Sequence, residues 1–307
     1  MSLDMQKKEK NAETSRLMMR AANAAVAVAF TLILIKSWAY GISGAVSMLG
    51  SLLDSLMDIL ASLVNLVAIR FAVVPADDDH RFGHGKAEAI AGLVQAMVVS
   101  LSALFLMVEA VKKLANPEPI LRADESIMVT IVAIILTLAL VAYQRYVVRK
   151  TGSVAIAADN LHYSGDILMN VGVLAALFLG GFMQLYFADP IIGIIVAGYL
   201  VYNVKQIAYS SIDMLMDREM DGADKARIIE IIKKHPEVCG VHDMKTRKSG
   251  MHLFIQFHME MDGAISLSAA HHICDDVEAE IMAEFKEAEV LIHADPEDHM
   301  EVVSYTE

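Results

Sequence analysis

The hydrophobic residues of this chain fall into long runs in its first two thirds and into short periodic patterns in its last third. Six runs lie at about residues 18–40, 45–72, 88–114, 124–147, 154–180 and 186–210. Each is close to the roughly 20 residues that an α-helix needs to cross about 30 Å of hydrocarbon. The pattern therefore predicts an α-helical membrane protein whose transmembrane domain, residues 1–210, has six transmembrane helices.

From residue 211 the spacing of the apolar residues changes. Residues 222–235 have the period of an amphipathic helix, and 238–247 and 251–261 predict two strands joined at Ser249-Gly250. The second strand alternates apolar and mainly polar residues, as a strand with one buried face does. A helix at 266–286 and a strand at 289–295 complete an αββαβ order. The sequence thus predicts a C-terminal α+β domain over 211–296 and a flexible tail over 297–307.

Composition and charge support this division of the chain. The 307 residues are 56% hydrophobic with a mean hydropathy of +0.47, which favours the membrane class over soluble enzymes. Acidic and basic residues balance in 1–210, so the net charge of −13 belongs to the C-terminal part. An acidic domain attracts cations and argues against nucleic acid as a partner, although acidic surfaces also serve solubility alone.

The basic residues predict the orientation in the membrane. They cluster before the first run, between the second and third runs and between the fourth and fifth. These segments lie on one side of a six-span protein, which the positive-inside rule assigns to the cytoplasm. We therefore expect a multi-pass protein of the bacterial inner membrane with both termini cytoplasmic. The N-terminus does not resemble a secretory signal peptide. Cys239 and Cys274 form no paired metal motif, so reduced thiols are expected.

Two membrane runs carry ionisable residues at helical spacing. Asp54 and Asp58 lie four residues apart in the second run, and His162 and Asp166 repeat that spacing in the fifth. Residues at this spacing share one face of a helix. Charged groups inside a membrane are costly and face a bundle interior or a watery cavity, where they are paired. Neither run contains a lysine or arginine between these groups, so a bound cation is the expected partner.

Three carboxylates and one imidazole make a ligand set that suits a tetrahedral divalent ion, with zinc favoured. The alternative is a proton relay or a polar packing network without metal. Metal binds ionised carboxylate and neutral imidazole, so protons compete for the same site. The reference pKa of histidine, about 6.5, brings this competition near cytoplasmic pH. We therefore expect proton antiport by alternating access, with H⁺ as the counter-ion.

These residues, together with the loop DDDHRFGHGKAE and the C-terminal segments HDMKTRKSG, FIQFHMEM and LIHADP, resemble the cation diffusion facilitator family. Within it the chain is similar to bacterial zinc and ferrous-iron efflux transporters of the FieF/YiiP type. The resemblance covers about residues 15–296. It implies a homodimer, a metallochaperone-like cytoplasmic domain, and a transport site made of Asp54, Asp58, His162 and Asp166. It also implies that the domain binds Zn²⁺ in a structural or regulatory role.

The resemblance assigns three further groups of residues. A loop metal site corresponds to Asp77, His80 and His84, and a charge pair where the domains of the dimer meet corresponds to Lys86 and Asp217. A two-metal site in the cytoplasmic domain corresponds to His242, His258, His271, His293 and Asp295. Ala294 departs from the family pattern, because relatives often carry glutamine there. From physics alone, Lys86 and Asp217 are surface charges, and the loop residues could equally be solvated surface. Four histidines and a carboxylate on one small domain, in contrast, favour metal binding.

Two functions of other classes compete with transport. An intramembrane aspartyl hydrolase would use two membrane carboxylates, but Tyr163-Ser164-Gly165-Asp166 matches its signature only in half. A zinc protease is excluded because HExxH is absent. A membrane-anchored metal sensor would leave the membrane charges without a role. We therefore expect efflux of zinc, with cadmium and ferrous iron as further cargo, and no enzymatic activity. The sequence does not separate these ions from manganese.

Overall fold

The computed structural model describes residues 3–43, 46–115, 124–183, 187–285 and 288–297. Six long helices precede a small mixed domain. They are α1 (Leu3–Ser43), α2 (Val46–Ala72), α3 (Lys86–Ala115), α4 (Asp124–Thr151), α5 (Val154–Met183) and α6 (Ala188–Leu215). All six predicted runs are therefore helical, and the predicted helical membrane class is confirmed.

The helices are longer than the hydrophobic runs. α1 begins at Leu3, well before the run, because its polar first turns are rich in lysine and glutamate, which favour helix. α6 continues to Leu215 and α5 to Met183. Hydrophobicity marks the part of a helix that lipid or protein covers, so it underestimates helices that extend into water. The predicted tail lies outside the described residues except for Glu297.

Within the described residues, five helices have segments long and apolar enough to cross a membrane. These segments are Ala12–Ile42, Asp54–Ala72, Lys86–Ala115, Met128–Thr151 and Pro190–Leu215. α5 has 30 residues and completes the set of six long helices. Large apolar side chains on these helices point outward, among them Phe30, Phe105 and Ile135. Such an apolar exterior is expected for helices surrounded by lipid.

α5 is the central helix of the compact unit formed by Ala12–Ile212, which we call the membrane unit. It packs against α2, α3 and α4. Its residue Leu161 joins a buried cluster with Val99 of α3 and Leu200 of α6, and its Tyr163 joins another with Ala25 of α1. The groups that α5 carries are therefore held from several sides.

The chain from Asp213 belongs to a second compact unit. It contains α7 (Gly222–Ile232), β1 (Val238–Ser249), β2 (His252–Met261), α8 (Leu267–Glu284) and β3 (Ala288–Pro296). β2 is the central strand, antiparallel to β1 and parallel to β3. The predicted αββαβ domain is confirmed. The exact domain boundaries proposed from the sequence stay predictions.

The core of this unit lies between the sheet and its two helices. Ile255, Phe257 and Met259 of β2 are buried against α7 and α8, as their alternation predicts. Ser249 pairs with His252, so Gly250 and Met251 form a two-residue hairpin turn. Gly250 has a φ of 59°, and glycine at the first turn position accepts that conformation readily. The buried strand face fixes the register, which leaves His258 on the opposite face.

Candidate metal sites

The membrane unit brings together three of the four residues predicted for the transport site. Nε2 of His162 lies 3.1 Å from Oδ1 of Asp58 and 3.9 Å from Oδ2 of Asp166. One ligand atom from each residue lies within 4.8 Å of the others. Asp58 is buried, and the His162 side chain is 10% exposed. Residues 104 positions apart in the sequence therefore form one compact cluster.

Asp54 lies beside this cluster rather than inside it. It lines the same cavity as Asp58, His162 and Asp166, and its side chain is exposed. The cavity has a volume of about 630 Å³. Its other lining residues follow α3 from Val98 to Lys113 and reach the start of α6. It therefore extends from the cluster towards the end of the bundle where α3 ends and α6 begins.

The position of α6 beside the cluster depends on a glycine. Gly165, which precedes Asp166, packs against Leu200 of α6. A Cβ atom at this position would lie 2.8 Å from Cδ2 of Leu200, too close for a larger residue without movement. Small residues let membrane helices approach closely. Gly165 thus allows α6 to form a wall of the cavity next to the ligand cluster.

Two charged residues near the site were not predicted from the sequence. Lys36 of α1 is buried, and its Nζ donates hydrogen bonds to Oγ of Ser55 at 2.6 Å and to the carbonyl oxygen of Ser51 at 3.1 Å. Glu109 of α3 lines the cavity. Each is an isolated charge within an apolar run, which was a usable signal. Their relation to the site depends on how the helices are rotated.

A second polar network lies next to the cluster. Nε2 of Gln144 donates to Oδ2 of Asp159 at 2.6 Å, and both side chains are fully buried. The hydroxyl groups of Ser62 and Tyr163 lie 2.7 Å apart. These bonds link α4 and α2 to α5 at Asp159 and Tyr163, which precede and follow His162 in the sequence. Buried polar groups that are paired in this way favour one specific arrangement of helices.

The loop between α2 and α3 assembles the second predicted group. Asp77 Oδ1 accepts a hydrogen bond from the backbone N–H of His80 at 2.6 Å and lies 3.3 Å from Nδ1 of the same residue. Oδ2 of Asp77 is 3.4 Å from Nε2 of His84. The backbone N–H of His80 is the main reason that the pKa of Asp77 is lowered, with smaller contributions from both histidines. The three residues could hold one ion.

The second compact unit, from Asp213 onward, which we call the cytoplasmic unit after the location predicted from the sequence, assembles most of the third group. Oδ2 of Asp295 lies 2.8 Å from Nδ1 of His258 and 3.7 Å from Nε2 of His242, while Oδ1 lies 3.1 Å from Nε2 of His293. β2 supplies His258, and its neighbours β1 and β3 supply the others. His242 and His293 both pair directly with His258 in the sheet. Asp295 thus presents its two oxygens to different imidazoles.

His271 is not part of this arrangement within the chain. It lies near the start of α8, largely exposed, with Nδ1 3.6 Å from Oδ1 of Asp275. Two acidic residues that were not predicted lie closer to the cluster. Glu260 is 3.0 Å from His242, and Asp243 is 3.8 Å from His258. Asp243 has a φ of 46° at an irregularity in β1, and a hydrogen bond from Lys245 lowers its pKa.

The two residues of the predicted charge pair belong to different units. Lys86 begins α3. Asp217 follows α6 and lies 3.6 Å from Nη1 of Arg247. The pairing of Lys86 with Asp217 stays a prediction.

The three clusters share one donor chemistry. Each combines carboxylate oxygen with imidazole nitrogen, and their ligand atoms are close enough to surround one ion. This donor set suits borderline divalent ions such as Zn²⁺, whereas Ca²⁺ and Mg²⁺ prefer oxygen ligands only. Fold and sites define a multi-pass membrane protein with carboxylate–imidazole clusters suited to divalent transition metals.

The comparisons with known proteins identify its family. Residues 22–216 match the cation efflux transmembrane domain, and residues 220–297 match the cytoplasmic domain of cation efflux proteins. The chain belongs to the cation efflux family, which confirms the resemblance seen in its motifs.

Similar proteins cover nearly the whole chain. A Klebsiella pneumoniae protein named cation-efflux pump FieF is 44% identical over 286 residues, which are 93% of this chain and 95% of the relative. A protein of the same name from Shewanella oneidensis is 45% identical over 276 residues, 90% and 93% of the two chains. A solved metal-bound C-terminal domain of the CzcD transporter from Thermotoga maritima is 26% identical, with a TM-score of 0.26, and covers 27% of this chain and 100% of its own.

Proposed function

We propose that this protein exports a divalent transition metal from the cytoplasm, with zinc as the favoured cargo and protons as counter-ions. The cluster of Asp58, His162 and Asp166 at the edge of a membrane cavity carries this proposal. Cadmium and ferrous iron are further cargo, since one site of nitrogen and oxygen ligands accepts several such ions. The similarity to relatives named cation-efflux pumps supports the direction of transport.

Proton exchange follows from the chemistry of the ligands. A metal ion requires Asp58 and Asp166 ionised and His162 neutral, whereas protons occupy the same atoms when the ion leaves. An alternating-access protein that releases metal outward and returns protons inward is an antiporter. The cavity extends towards the end of the bundle opposite the cytoplasmic side in our orientation. This geometry supports release of the ion and uptake of protons from that side.

We further propose that the cytoplasmic domain forms a homodimer that metal stabilises. The family model matched by residues 220–297 indicates dimerisation. Zn²⁺ held by His242, His258 and Asp295, with His293 nearby, would favour the state that binds it, because a ligand shifts a population towards its preferred state. Within one chain His271 lies apart from these residues, so it would join the site only if the chains of the dimer or the domain itself were arranged differently. In the loop, Asp77, His80 and His84 would hold an exchangeable ion.

The experiment is metal flux into proteoliposomes. With an imposed proton gradient, the wild type should move Zn²⁺ against its concentration gradient, and Asp58→Ala should abolish this flux. Val64→Ala is a matched control, because Val64 is exposed on the same helix. Repeating the assay with Cd²⁺, Fe²⁺ and Mn²⁺ ranks the cargo. Uphill flux that persists without a proton gradient contradicts antiport, and full flux in Asp58→Ala contradicts the site.

The two rival functions predict different results. A membrane-anchored sensor would bind metal in the cytoplasmic domain and show no flux in liposomes. An intramembrane hydrolase would lose its activity with Asp58 or Asp166 whether or not metal is present. Membership of a cation efflux family favours transport over both.

A further inference from the structure

Lys36 is a buried cation in a membrane helix, and its charge is unexplained by the ligand cluster alone. Only 8% of the surface of Lys36 is exposed. The ammonium group donates to Oγ of Ser55 and to the backbone oxygen of Ser51, both on α2. These acceptors are neutral, so they satisfy hydrogen bonds without compensating the charge. A lysine in such a position is costly unless an opposite charge is near.

The opposite charges are those of the proposed transport site. Ser51 and Ser55 flank Asp54 on α2, so the ammonium group bonded to them lies within about one helical turn of Asp54, which lines the same cavity as Asp166. The described lining residues of the cavity come from α2, α3, α5 and α6, whereas Lys36 belongs to α1. The ammonium group thus acts on the site from outside the cavity. Its bonds to Ser51 and Ser55 hold it against the turn of α2 that carries Asp54.

We propose that Lys36 is a fixed countercharge of the transport site that weakens metal binding and so permits release. This inference rests on the proposed function of the site. When no ion is bound, the ammonium group offsets part of the negative charge of Asp54 and Asp166. When a divalent ion enters, the same positive charge repels it. The site therefore remains stable when empty and does not retain its ion too tightly.

The size of the effect follows from electrostatics in a partly buried environment. A fixed unit charge repels a nearby divalent ion even at an effective dielectric constant near 20, and relaxation and water in the cavity reduce this repulsion. Removing the positive charge should therefore tighten binding by about tenfold or more. If Lys36 only packed against α2, its removal would weaken zinc binding. The countercharge role and a purely structural role therefore predict opposite changes in zinc affinity.

The test measures zinc affinity in the full-length protein in detergent, by competition with a chelating dye at about pH 8, where protons compete least. A background carrying Asp77→Ala and Asp295→Ala removes the carboxylate that the histidines of each of the other two clusters share. Lys36→Gln removes the charge but keeps a hydrogen-bond donor, and Lys36→Met is a second neutral variant if the first folds poorly. Lys36→Arg keeps the charge, and Ser55→Ala keeps the charge while removing one hydrogen bond.

We expect a neutral Lys36 variant to bind Zn²⁺ about tenfold or more tightly and to transport it more slowly. Lys36→Arg and Ser55→Ala should stay within about threefold of the background protein. Equal or weaker affinity in a folded neutral variant overturns the countercharge role while leaving the transport site intact. If Asp58→Ala does not reduce zinc binding in the same background, the proposed site itself is wrong. The role of Lys36, which depends on that site, is then wrong as well.

Discussion

The hydrogen bond between Gln144 and Asp159 offers a direct test of how the membrane unit holds α5. Gln144→Leu keeps the approximate volume of the side chain but removes the donor, which lies 2.6 Å from Oδ2 of Asp159. Both residues are fully buried, so water cannot replace the lost partner. An unsatisfied buried acceptor costs about 1–3 kcal/mol, and more when it is charged. We expect Gln144→Leu to lower the free energy of unfolding by about 2 kcal/mol.

A double-mutant cycle isolates this interaction. Asp159→Leu alone leaves Gln144 without its acceptor, whereas the double variant places two apolar side chains against each other. Replacing both partners is less costly than removing one. The double variant should therefore be more stable than the sum of the single changes predicts, by about 1–2 kcal/mol.

The assay is equilibrium unfolding in mixed micelles of a mild detergent and SDS, followed by circular dichroism. Leu138→Ala, at an exposed apolar position of the same helix, serves as a control and should change stability little. If the two single changes add to within about 0.5 kcal/mol, the residues are uncoupled and our interpretation is wrong.

Three further predictions concern parts of the chain outside the membrane. Asp295→Asn should abolish most of the zinc-induced rise in the melting temperature of the full-length protein. The control Leu291→Asn, at an exposed position of the same strand, should retain this rise. Equal stabilisation of both variants by zinc would contradict metal binding by Asp295. Phe257→Ala should destabilise the cytoplasmic unit by about 3–5 kcal/mol in denaturant unfolding, since the ring is 1% exposed, and a loss below about 1 kcal/mol would refute its place in the core. The lowered pKa of Asp77 means that its contribution to stability is present above the ordinary carboxyl pKa of 3.8 and is lost as pH falls through the lower folded value. NMR of labelled aspartate should show this low midpoint, and His80→Pro, which removes the donating N–H, should raise it.

Much of the cytoplasmic unit follows from local patterns in the sequence. The alternation along β2 predicted which of its residues are buried, and the turn at Gly250 predicted the hairpin. The sequence did not indicate that Asp243 and Glu260 approach the histidine cluster. That proximity comes from the irregularity in β1 and from strand pairing, which join residues distant along the chain.

The geometry of the membrane site is likewise determined partly by the local sequence and partly by tertiary packing. The sequence by itself determined that Asp54 and Asp58 share one helix face and that His162 and Asp166 share another, because 3.6 residues per turn fixes that relation locally. Only the tertiary structure decided that Asp58 meets His162 while Asp54 remains beside them, and that Lys36 of α1 bonds to the turn of α2 that carries Asp54. Contacts such as Gly165 against Leu200 set the rotation and spacing of neighbouring helices. No periodicity within one helix contains that information, because it arises from packing between segments far apart in the chain.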